Sequence, residues 1–181
     1  MQTAYQKLLT DLGLRLRPGC LQDAEGLHAL VTGILESYGL PAGTVKDGDL
    51  NDVATWYGSR NGVFEILEDS QGALIGCCGA FARSAVVCEL RRLYLAHKLR
   101  HRGLGGVFMD RVLEWARSRG FDSMELSTAP VLKAAVSLYQ KYGFMRVSET
   151  TGESTSPCNL HLRLQLSHTK LDGSRRHYHG V

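Results

Sequence analysis

No stretch of this chain approaches 18 consecutive apolar residues, so nothing in it reads as a membrane-spanning helix. Met1-Gln2-Thr3-Ala4-Tyr5 lacks the apolar core and small-residue cleavage site of a secretory leader, and the expectation is a cytoplasmic protein with no membrane partner. The five cysteines (Cys20, Cys77, Cys78, Cys88 and Cys158) are odd in number, and two of them are adjacent inside an apolar run. That layout does not suit a disulfide framework and predicts reduced, mostly buried thiols. His161, His168, His177 and His179 lack a metal-ligand spacing, so no metal is expected. Neither an internal repeat nor a domain linker is visible.

What is present fits one domain of ordinary size: 181 residues, 44% hydrophobic and 22% charged. The domain is expected over residues 14–166, with 1–13 as an N-terminal extension and 167–181 as a polar, basic, mobile tail. A net charge of +3 and a pI near 8.6 raise the question of nucleic acid. The excess gathers at one loop and the tail rather than on a broad face, and no nucleic-acid partner is expected.

Hydrophobic periodicity predicts the order of elements. Residues 14–17 alternate like a strand ended by Pro18-Gly19. Leu21, Ala24, Leu27, Leu30, Val31, Ile34 and Leu35 trace a helix face, and residues 50–57 read as a second helix. Its Trp56 and Tyr57 are read as core or, alternatively, as lining a substrate pocket. Residues 62–68 and 73–81, joined by an Asp69-Ser70-Gln71-Gly72 turn, form a hairpin, followed by a strand at 86–95. Then come a helix (103–119), a strand (122–127), a helix (131–142), a strand (143–148) and a last strand (159–166).

The most informative stretch lies between the third hairpin-type strand and the helix after it: Arg100-His101-Arg102-Gly103-Leu104-Gly105-Gly106. From Arg91 to Arg102 there are five Arg or Lys, two His and no carboxylate. Glycines at a helix start expose unpaired backbone N–H groups at the positive end of the helix dipole, which favours an anion by roughly 0.3–1 kcal/mol at exposed sites.

Arg-x-x-Gly-x-Gly at Arg100, Gly103 and Gly105, followed by an amphipathic helix and then Leu138-Tyr139-Gln140-Lys141-Tyr142-Gly143-Phe144, resembles the GNAT superfamily of acyl-CoA N-acyltransferases. The resemblance runs from about Leu14 to Leu166 and is weakest before Gly62. It implies an α+β fold: a bent, mixed, mainly antiparallel sheet flanked by helices, with the central strands 86–95 and 122–127 splayed around the cofactor. It further implies an N-acetyltransferase that moves acetyl from acetyl-CoA to a primary amine by direct attack in a ternary complex. The loop Arg100, His101, Arg102, Gly103, Leu104, Gly105 and Gly106 would wrap the pyrophosphate of coenzyme A. Backbone N–H groups of the splayed strand near Leu93 would face the oxyanion, Leu95 would hold the pantetheine arm, and Tyr94 between them counts among the cofactor-binding residues. Many family members place an asparagine seven residues before the motif tyrosine; here that position is Leu132, and Thr128 is the substitute.

The reaction needs a neutral amine, yet a lysine-like amine of pKa about 10.4 is unprotonated in only about one molecule in 2,500 at pH 7. Glu89, eleven residues before Arg100, matches the spacing of the glutamate base in the histone-acetylating members and is the candidate base. The departing thiolate must collect a proton, and Tyr139 is the candidate acid, a phenol of pKa near 10 against a thiol near 8.5. Cys88 has no neighbouring His and sits in an apolar strand, which argues against an acetyl-cysteine route.

Two other readings compete. A dinucleotide-binding oxidoreductase would use Gly103-x-Gly105 with Glu125 about 20 residues on, but Phe108 stands where the third glycine belongs. A non-catalytic acyl-CoA sensor would keep the fold without turnover. The acceptor, a small-molecule amine or a protein amine, is chosen by residues near 20–60 and 150–158. Glu36, Asp47, Asp49 and Asp52 offer attraction for a cationic amine or else form a solvated acidic surface. Family members often dimerise, which leaves a homodimer open.

Overall fold

The structure is a computed structural model and describes residues 2–40, 47–147 and 158–166. The chain order is α1 (Gln2–Asp11), β1 (Arg15–Pro18), α2 (Ala24–Glu36), α3 (Val53–Gly58), β2 (Val63–Glu68), β3 (Leu74–Ala82) and β4 (Val87–Leu95). It continues with α4 (Leu104–Ser118), β5 (Ser123–Thr128), α5 (Lys133–Lys141), β6 (Met145–Arg146) and β7 (Leu160–Gln165). One seven-stranded sheet forms in the order β1-β2-β3-β4-β5-β7-β6. Every neighbouring pair is antiparallel except β4 and β5. This is the mixed, mainly antiparallel architecture expected from the sequence.

Helices cover both faces of the sheet, which is why β3 reads as a continuous apolar run rather than an alternating one. On one face Cys78, Ala80, Cys88 and Leu90 join a core with Leu104, Phe108, Met109 and Val112 of α4 and Tyr139 of α5. Leu9 of α1 packs there too. On the other face Ile66, Cys77 and Phe81 meet Leu27, Val31 and Leu35 of α2 and Val53 and Tyr57 of α3. Burying each large side chain such as Phe108 or Leu27 contributes about 1.5–3 kcal/mol. Cys77, Cys78 and Cys88 are buried, Cys20 and Cys158 are half-buried, and all five are free thiols.

Several boundaries differ from the sequence reading for local reasons. The second helix begins at Val53, because Asp52 caps it by accepting a hydrogen bond from the Thr55 N–H at 3.0 Å. Leu50 falls instead in a short 3-10 turn over Gly48–Leu50. Pro130 keeps the start of α5 back to Lys133, after a turn closed by Leu132 N–H to Ala129 O at 3.0 Å. The strand after α5 is reduced to Met145–Arg146. Asp69 holds the hairpin turn by accepting from the N–H groups of Gln71 and Ala73, both at 3.0 Å. The tail at 167–181, residues 41–46 of the polar connection and most of the 150–158 acceptor region lie outside the described residues.

Candidate active site

β4 and β5 run side by side only through Val87↔Ser123, Cys88↔Met124 and Glu89↔Glu125. Beyond that point they part, as the family resemblance implied for these two strands. The gap opens into a cavity of about 770 Å³, walled by Leu90 to Leu95 on one side and by Ser127, Thr128 and α5 on the other. The loop residues Arg100, His101, Gly103, Gly105 and Gly106 close one end, and Tyr139 and Cys158 also contribute to the wall.

The glycines give the loop its form. Gly103 takes the left-handed conformation (φ +81°) at the N-cap of α4, where a side chain would be strained. Gly105 lies so close to α5 that a Cβ there would sit 3.0 Å from Leu138 Cδ2. The N–H groups from His101 to Gly105 donate no backbone hydrogen bond among the described residues, so the helix start presents a row of free donors. Charge agrees with this: Arg91, Arg92, Arg100, Lys133 and Lys141 line the cavity with His101, and no carboxylate does among the described residues.

Not every expected loop residue faces the cavity. Leu104 points into the core and is 1% exposed. Arg102 is exposed and outside the cavity wall. The Arg100 side chain acts as a brace: its Nε donates to Leu95 O at 3.3 Å and its Nη1 to Tyr38 Oη at 2.5 Å, with the Tyr38 ring 5.0 Å away. It ties the loop to the ends of β4 and α2. Leu93, Tyr94, Leu95 and Thr128 all line the cavity, as does Leu132 in place of an asparagine.

Tyr139 is buried on α5, with the Phe144 ring 5.8 Å away. Its hydroxyl makes no hydrogen bond among the described residues, and burial pushes its pKa far above the ordinary value of 10. The second tyrosine of the motif is structural: Tyr142 Oη donates to Gly106 O at 3.2 Å and to Asp110 Oδ1 at 2.9 Å, locking α5 onto α4.

Glu89 stands just past the end of the cavity, next to Leu90 and Arg91, which line it. It is half-buried, 3.4 Å from Arg83 and 3.6 Å from Arg91. Burial raises its pKa above the ordinary carboxylate value and outweighs the opposing pull of Arg91 and Arg83.

The structure adds a group that the sequence reading missed. β4 bulges where the register with β3 slips between Cys77 and Gly79, and Arg92 there takes φ +58°. The Arg92 side chain is 2% exposed. It reaches Asp49 through Nε at 3.0 Å and through a second, shorter contact from Nη2, and Asp47 through Nη1 at 3.0 Å. Tyr57 Oη donates to Asp49 at 2.9 Å. Burial pushes the Asp49 carboxyl up, but the hydrogen bonds and charge of Arg92 win and hold it below the usual range. The expectation of a solvated acidic surface is therefore wrong for Asp49, whose charge is spent inside the protein. No local signal marks it, because its partner is 43 residues away.

Among the described residues no group of three or more His, Cys, Asp or Glu could hold a metal ion, and no helix is long and apolar enough to cross a membrane.

Residues 32–144 match the Acetyltransferase (GNAT) family. An uncharacterised N-acetyltransferase of Schizosaccharomyces pombe is 27% identical over 148 residues, which span 81% of this chain and 90% of that protein. The fold is similar to that of a GNAT-family acetyltransferase of Staphylococcus aureus Mu50, with a TM-score of 0.75 at 15% identity over 85% of this chain and 99% of the other. It is also similar to a GNAT-superfamily phosphinothricin acetyltransferase of Sinorhizobium meliloti in complex with AcCoA, with a TM-score of 0.64 at 17% identity over 87% and 91% of the two chains.

Proposed function

Because the chain belongs to the GNAT acetyltransferase family and is an acetyl-CoA-dependent enzyme that acetylates an amine, we propose that the transfer takes place in the cavity between β4 and β5, by direct attack in a ternary complex. A single domain over residues 14–166 carries it. The observation that supports this most is the pairing of free amides at the start of α4 with a cavity lined by five Arg or Lys and no carboxylate among the described residues. A thioester donor with a pyrophosphate fits that surface, and the volume suits a ligand of that size.

In this reading the amides of His101 to Gly105 take the pyrophosphate, braced by Arg100, with Gly106 closing the turn beneath them, and Leu95 flanks the pantetheine arm. Thr128 contributes a polar contact from the opposite wall. The amine nitrogen attacks the thioester carbonyl carbon, the C–N bond forms, and the C–S bond breaks. Glu89, directly or through water, accepts the proton that nitrogen loses. Tyr139 donates the proton that the departing thiolate needs, and solvent re-equilibrates the two side chains. Backbone N–H of β4 near Leu93, past the bulge, stabilises the oxyanion. The products are the N-acetylated amine and free coenzyme A.

The dinucleotide alternative loses its footing at Phe108, which is 1% exposed in the core where the fingerprint needs a third glycine. Calorimetric titration with acetyl-CoA, coenzyme A and NAD(H), together with a thiol-release assay over an amine panel, tests the proposal. Acetyl-CoA and coenzyme A bind, NAD(H) does not, and thiol is released only with an amine present. Binding without turnover on any amine would favour the sensor. Gly105→Glu places bulk and negative charge at the pyrophosphate and weakens acetyl-CoA binding at least about 100-fold. Unchanged affinity in the folded variant would remove the loop from the donor site.

A further inference from the structure

Resting on the transferase reading above, we infer that the acceptor is an amine that also carries a carboxylate close to its nitrogen, an α-amino acid, and that Arg91 receives that carboxylate.

Arg91 and Glu89 are alternate residues of β4 and share the sheet face away from α4, whereas Cys88 and Leu90 enter the α4-side core. Pairing with β3 is regular across this stretch (Phe81↔Glu89, Ala80↔Leu90, Gly79↔Arg91), so the two side chains are true neighbours, and they approach to 3.6 Å. Arg91 lines the cavity and its side chain is 27% exposed. Its contacts are that ion pair through Nε and the Trp56 ring at 5.6 Å. Neither Nη group makes a hydrogen bond among the described residues, which leaves the end of the guanidinium fork to take a carboxylate.

Arg92 is used differently. Its fork is filled by Asp49 and Asp47, so those two acids are committed within the wall and do not advertise for a cationic amine. The charges facing Arg91 are then Glu89, shared with Arg83, and the Asp49–Arg92 pair. With no carboxylate in the cavity lining among the described residues, a polyamine meets the positive charges of Arg91, Arg100, Lys133 and Lys141 there. An amine whose own carboxylate offsets its charge does not.

Spacing narrows the class further. The base and the fork lie within ion-pair distance of each other, so one substrate can address both only if amine and carboxylate are a few bonds apart. Binding also prepares the reaction. Arg91 is the largest influence holding the Glu89 pKa down against burial, and a substrate carboxylate that occupies Arg91 relieves that hold and makes Glu89 a stronger base.

The test is steady-state thiol release with the twenty L-amino acids, their α-carboxamides and spermidine, after acetyl-CoA binding has been measured by calorimetry. The best substrate is expected to be an amino acid whose kcat/KM exceeds that of its own carboxamide at least about tenfold. Arg91→Gln collapses that ratio to within about twofold, and Arg91→Lys, which keeps the charge but not the fork, regains part of it. A protein that binds acetyl-CoA but prefers spermidine, treats acid and carboxamide alike, acetylates nothing in the panel, or keeps its ratio in Arg91→Gln overturns the inference. Failure to bind acetyl-CoA would instead bring down the transferase reading beneath it.

Discussion

The two ends of the cavity are built by different means. At the α4 end the surface is mostly backbone: free amides, a left-handed glycine, and a glycine that lets two helices close up, with Arg100 serving as a brace. At the β4 bulge it is mostly side chains: Arg92 filled by Asp49 and Asp47, Tyr57 behind them, and Arg91 left open beside Glu89. Backbone recognition suits a ligand part that never changes, because any sequence that makes the turn presents the same donors. Side-chain recognition suits the part that differs between enzymes.

Breaking the side-chain wall gives the largest effect. Asp49→Leu takes the most buried partner from a guanidinium that is 2% exposed and leaves its charge under-compensated beside Asp47, so unfolding in urea should show a loss of about 3 kcal/mol. Adding Arg92→Met to it removes the under-compensated charge and should recover most of that loss. The double variant then separates roles. If the pair only holds the fold, the recovered protein turns over normally. If it positions the bulge, kcat stays low while acetyl-CoA affinity, which the proposal sets at the other end of the cavity, is unchanged.

Tyr139→Phe acts between the two ends. Removing the proposed general acid should lower kcat about 100-fold, or about 2.7 kcal/mol, with acetyl-CoA affinity little changed because the loop proposed to hold the pyrophosphate is untouched. Burial holds the Tyr139 pKa far above 10, so the phenol stays protonated through pH 6–9 and sets no alkaline limb in the wild-type profile. Equal rates for variant and wild type would take the acid role away from Tyr139.

The same contrast explains what could be read from the sequence. The order of strands and helices was legible because hydrophobic period and turn residues are local, and Arg100, Gly103, Gly105 and Tyr139 stood out as candidates because the family pattern they resemble has fixed residue types at fixed spacing. Boundaries such as Val53 and Lys133 depend on a cap and a proline and moved by two or three residues. The Asp49–Arg92 pair was not legible at all. Its partners come from a turn and a strand bulge 43 residues apart, and in sequence Asp49 looks like any acid in a polar loop. The motif tyrosine pair shows the intermediate case: spacing marks both Tyr139 and Tyr142, but only packing tells that Tyr142 is committed to Asp110 and Gly106.

Glu89→Gln gives the smallest effect on stability and the sharpest sign. Because burial raises the Glu89 pKa, the folded protein holds this proton more tightly than the unfolded chain. Its contribution to stability is therefore present at low pH and is lost as pH rises from the ordinary carboxylate value through the raised one. Above that window an ionised Glu89 costs stability, and the neutral glutamine should make the protein slightly more stable in thermal melts. Activity runs the opposite way. A base works only when deprotonated, so the ratio of wild-type to variant kcat/KM should be highest above the raised pKa and fall toward unity below it, whatever the amine contributes to both profiles alike. The expected plateau is about 100-fold if Glu89 takes the proton directly and about tenfold if water relays it. A variant that is less stable at neutral pH and has a flat ratio would mark Glu89 as a partner for Arg83 and Arg91 alone. A variant that gains stability while losing rate would place on Glu89 a charge that the fold bears at a cost for the sake of the chemistry.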